Sequence, residues 1–134
     1  MEIDLEGKFV VLEYDAIDVD PGPALMIYQV KNQNLEIAYN PKGKVVCLDM
    51  GACESARDYL VQEDVEEVYC PKEIIGMPDS ILGLELYFDG RIWGNFRALG
   101  KHYWEDFFGK VDIEFKEFHP RPVKNGDKLL WNLV

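Results

Sequence analysis

One dipeptide, Asp89-Gly90, constrains this chain more than any other feature, because it stands between two runs rich in apolar residues. Both central residues of a type I′ turn need positive φ, which Asp-Gly supplies, so residues 84–95 read as a tight β-hairpin. With a two-residue turn, Phe88 faces Arg91, Leu86 faces Trp93 and Leu84 faces Asn95. Leu84, Leu86, Phe88 and Trp93 then share a core-facing side. The other side carries Glu85, Tyr87, Ile92 and Gly94, a mixture suited to solvent or to a groove. Just downstream, Tyr103, Trp104, Phe107 and Phe108 recur at helical spacing, which predicts a single helical turn over 101–108. A helix that short does not persist alone in water, so its aromatic side must pack on the sheet or on a partner.

Turn signals recur along the rest of the chain. Residues 8–17, rich in β-formers, predict a first strand, ended by Asp-Val-Asp-Pro-Gly-Pro, where proline removes the ladder donor. Residues 24–30 and 35–39 predict two further strands joined through Lys31-Asn32-Gln33-Asn34. Asn40-Pro41-Lys42-Gly43 then turns the chain into a strand over 44–48. Leu35, Ile37 and Tyr39 alternate with Glu36 and Ala38, which predicts one wet face. Residues 55–62 predict a short helix with Ser55 as N-cap and Ala56, Tyr59 and Leu60 towards the sheet. Residues 63–70 fit helix, turn, then a strand beginning near Glu66, although a longer helix also fits. Residues 111–119 alternate apolar with charged, Asn125-Gly126 marks a tight turn, and 129–134 close the chain with Trp131 buried.

The result is a mainly β fold: an antiparallel meander of about eight strands with one or two short helices, closed as a small barrel or stacked as a two-sheet sandwich. An α+β arrangement is the alternative. At 134 residues the chain fits a single domain, 1–134, able to bury a core without metal or disulfide staples. The N-terminus has neither the basic nor the apolar segment of a signal peptide, and no run has membrane-spanning length. A cytoplasmic protein with no membrane association is expected.

Few chemistries have a foothold. The glycine-rich nucleotide signatures, the Gly-x-Ser-x-Gly elbow and His-Glu-x-x-His are all missing. Ser55 and Ser80 are the only serines and there is no threonine. Cys47, Cys53 and Cys70 lack a Cys-x-x-Cys knuckle, so buried reduced thiols are a better reading than zinc held with His102 or His119. Asp15, Asp18 and Asp20 do not have the spacing of a calcium loop. No metal and no cofactor are expected.

Charge is more informative. The formal net charge is −11, which disfavours direct binding of nucleic acid through its phosphates. Residues 1–20 carry seven acids against Lys8 alone, and 49–79 carry nine against Arg57 and Lys72, whereas in 91–128 eight bases meet six acids. Solubility accounts for much of this imbalance. The sharper expectation is a non-enzymatic interaction domain of inhibitor or immunity type, whose acidic face covers a basic site on a partner protein. Its candidate contacts are Glu13, Asp15, Asp18, Asp20, Glu63, Asp64, Glu66 and Glu67. The alternative is a small-molecule-binding β-barrel lined by Glu85, Tyr87, Arg91, Trp93, Arg97, His102, Tyr103 and Trp104, with a carboxylate and His102 available for acid–base chemistry. Core packing is the bland account of those rings. Edge strands in such a fold are also compatible with a homodimer.

Overall fold

The structure, a computed structural model, describes residues 1–15, 23–39, 50–72, 95–97, 100–109, 112–119 and 122–134. The hairpin expected at Asp89-Gly90, the strand over 44–48 and the loop carrying Asp18 and Asp20 lie outside these residues. Among the described residues, nine strands and two helices form a mainly β fold: β1 (Glu2–Ile3), β2 (Phe9–Asp15), β3 (Pro23–Lys31), β4 (Asn34–Tyr39), α1 (Met50–Gln62), β5 (Glu67–Pro71), β6 (Asn95–Arg97), α2 (Gly100–Phe108), β7 (Glu114–Phe118), β8 (Val123–Asn125) and β9 (Lys128–Asn132).

Six strands make the larger sheet in the order β4-β3-β2-β5-β7, with β6 beside the C-terminal half of β2. The order follows from burial. In β2 both faces are apolar: Val10 and Leu12 join Tyr28, Val30, Leu35, Tyr69 and Phe118 in one core cluster, while Val11 joins Ile27, Val68, Cys70 and Phe115 in the other. A strand buried on both faces belongs inside a sheet covered on both sides. One cover is a three-stranded sheet, β1-β9-β8, whose Trp131 is buried beside Leu5 and Phe118. The opposite cover is helical: Ala56 and Leu60 of α1 pack with Trp104 and Phe108 of α2 over Val68 and Phe115.

Two sheets therefore stack as a sandwich, and among the described residues no barrel closes. Among the described strands a meander holds for β2-β3-β4 alone, since β5 pairs parallel to both β2 and β7. The helices explain the difference. α1 returns the chain across the sheet before β5, and α2 does so before β7, so each strand re-enters in the same direction.

Local chemistry sets the turns. Asn32 and Gln33 both have positive φ, 52° and 60°, as a type I′ turn requires between Lys31 and its partner Asn34. A glutamine in that conformation is unusual. Here the Glu6 carboxylate accepts from the backbone N–H of Asn32 at 2.6 Å and of Gln33 at 3.0 Å. The β8–β9 turn falls one residue later than the Asn125-Gly126 pair predicts: Asn125 pairs with Lys128, and only Gly126 has positive φ, as in type II′.

The wet-face pattern expected for β4 is broken by a register shift at Ile27/Tyr28. Tyr28 faces Ile37 while Ile27 faces Tyr39, so Ala38 is the extra residue of a bulge. Tyr39 thereby packs on the helical side although Leu35 points to the small sheet. Both helices exceed expectation. α1 begins at Met50, not Ser55, and takes Gly51 into its first turn, where glycine costs roughly 1 kcal/mol relative to alanine. α2 spans nine residues rather than one turn, with Trp104 and Phe108 buried four residues apart. Glu117 accepts the Lys101 N–H at 2.7 Å, satisfying a donor of its first turn.

Candidate acidic interaction surface

Parallel pairing of β5 and β7 brings together acids that are 47 residues apart in the chain, Glu67 and Glu114. Glu67 pairs with Glu114 in register, and the Glu114 N–H donates to the Glu66 carbonyl at 2.9 Å. The segments leading into these strands, 63–66 and 112–113, therefore meet at one end of the sheet. Glu63, Asp64, Glu66, Asp106, Asp112 and Glu114 are all exposed there.

Helix termination sets the positions of these acids. The Val65 N–H donates to the Leu60 carbonyl at 3.0 Å, Asp64 takes φ 52°, and Val65 and Leu60 share the helical-side core. This is a Schellman-type stop with aspartate where glycine is usual. α2 stops with a left-handed glycine: Gly109 takes φ 71° and its N–H donates to the Glu105 carbonyl at 3.0 Å, the simpler αL cap. Both helix C-termini consequently point at the acidic end, and their dipoles add negative potential to it. Neither helix has a base in its last turn. From α1, Arg57 reaches across to donate to the Phe108 carbonyl at 3.3 Å. A cleft of about 530 Å³ runs between α2 and β7, with Glu105, Asp106 and Glu114 on its walls and Ile113 and Phe115 on its floor. Lys101 also lines it, paired with Glu105 at 3.6 Å. Lys110 lies outside the described residues.

Glu67 differs from its neighbours. Its carboxylate accepts from Lys116 at 2.8 Å, Lys8 at 3.0 Å and the Tyr69 hydroxyl at 2.9 Å. The hydrogen bonds from the two ammonium groups hold its pKa down at about 2. Burial, then the Glu67 hydrogen bond, pushes the Tyr69 phenol up. This group knits the adjacent ends of β2, β5 and β7, so Glu67 serves the fold rather than offering a free charge.

The expected acidic face is thus divided. Glu63, Asp64 and Glu66 come together, Glu67 is neutralised, and Glu13 and Asp15 sit towards the far end of β2. Since β2 and β5 run parallel with Phe9 beside Val68, Asp15 lies about 20 Å along the strand direction from the Glu67 level. Asp106, Asp112 and Glu114 were missing from the expected set, because the near balance of charge over 91–128 hides them.

Of the expected pocket, Glu85, Tyr87, Arg91 and Trp93 lie outside the described residues. Arg97 ends β6, its backbone paired with Glu13. On α2, which also carries Tyr103, Trp104 is buried against Phe108 in the core, while His102 is exposed to solvent. Trp104 and His102 thus part company across the helix. Cys70 is buried, and burial above all pushes its thiol up to about 12, unlike an activated nucleophile. Among the described residues no group of three or more His, Cys, Asp or Glu is placed to hold a metal. None of the described helices is long and apolar enough to cross a membrane.

Comparisons with protein-family models, with curated proteins and with solved structures found no match for the chain.

Proposed function

We propose that this chain is a non-enzymatic interaction domain that applies its acidic end to a basic site on a partner protein, in the manner of an inhibitor or immunity protein. One observation carries the reading: six exposed carboxylates gather at the end to which both helix C-termini point, with no base in either last turn and Arg57, from mid-α1, donating to the Phe108 carbonyl. That placement works against stability, because negative charge at a helix C-terminus is unfavourable by a few tenths of a kcal/mol or more per group. Local rules broken together at one place are a mark of functional sites. The field of such a surface would steer a cationic partner and set the register of docking.

The test is capture of partners from host lysate at low and high salt, by wild type and by a variant carrying Glu63→Gln, Asp64→Asn, Glu66→Gln, Asp106→Asn, Asp112→Asn and Glu114→Gln. Asparagine at position 64 keeps the left-handed conformation accessible. A basic partner held by wild type at low salt, released at high salt and absent from the variant is expected. Equal capture by the variant, or a co-purifying small molecule with no protein partner, would overturn the proposal.

A further inference from the structure

We draw no further inference here: the strongest candidate outside the acidic end, the cleft of about 310 Å³ lined by Asp4, Glu6, Asn32, Gln33 and Lys128 beside the β3–β4 turn, has its Glu6 carboxylate engaged by Asn32 and Gln33 and its Gln33 amide engaged by Asp127 and Leu129, and nothing in the structure shows what covers it.

Discussion

Substituting Glu67 by glutamine isolates the electrostatic contribution of the group that ties β2, β5 and β7 together. Glutamine keeps the shape and an acceptor for the Tyr69 hydroxyl, but removes the charge facing Lys8 and Lys116. A carboxyl moved from its ordinary 4.5 down to about 2 corresponds to roughly 3 kcal/mol at face value. The side chain is 26% exposed and both lysines reach water, so screening reduces this to about 1–2 kcal/mol. A depressed acid pKa stabilises the fold at pH values above the unfolded pKa, and the contribution fades as pH falls from 4.5 towards 2. Glu67→Gln should therefore lower stability by about 1–2 kcal/mol at pH 7, and the gap to wild type should shrink to under half by pH 3. Urea unfolding followed by circular dichroism at both pH values, with m unchanged, measures the gap. The same gap at both pH values would assign the loss to packing or to the neutral hydrogen bond. No gap at pH 7 would mean that the three-strand tie is not electrostatic at all.

Three further outcomes follow from the same structure. Glu6→Ala removes the acceptor that two positive-φ residues depend on, and should cost about 1–2 kcal/mol in urea unfolding, with faster amide exchange at Asn32 and Gln33; unchanged exchange would refute the role. Trp131→Ala empties the contact between the small sheet and the large one and should cost about 3–5 kcal/mol; a loss below 1 kcal/mol in the same assay would mean that the small sheet is not docked through this ring. In a Cys47→Ser/Cys53→Ser background, Cys70 should resist alkylation at pH 8 until denaturant is added, as read by mass spectrometry, and prompt native labelling would contradict its burial and raised pKa.

Much of the fold is legible in the chain because burial writes itself into short-range patterns. The apolar run of β2, the alternation ahead of Phe118 and the turn residues around Asn32 and Gly126 each report local geometry, and the corresponding elements form. Strand direction is different. Whether β5 runs parallel or antiparallel to its neighbours depends on where α1 and α2 return the chain, and nothing in Glu-Val-Tyr-Cys-Pro encodes that. The full lengths of the helices are hidden for a related reason. Gly51 and the polar residues at the start of α2 argue against helix locally, while tertiary burial of Leu60, Trp104 and Phe108 and the Glu117 contact argue for it.

The candidate site depends on the part of the fold that local pattern does not carry. Counting charge by segment sets 63–66 apart as acidic and leaves 105–114 unremarked, since Lys101, Lys110 and Lys116 surround its acids in sequence. In space the bases are taken up unevenly: Lys116 hydrogen-bonds Glu67 and also feels Glu114, Lys101 in the first turn of α2 pairs with Glu105, and parallel pairing brings Asp112 and Glu114 to the level of Glu66. The arrangement also separates two kinds of acid. Glu67, hydrogen-bonded to both Lys8 and Lys116, is the one that the sheet needs, whereas the exposed carboxylates around it sit where two helix dipoles oppose them. Glu2, Asp4, Glu6, Glu36, Asp58 and Asp127 are exposed as well and serve solubility where they stand; the acids at this end differ in opposing two helix dipoles, and that cost is what the proposed docking role would account for.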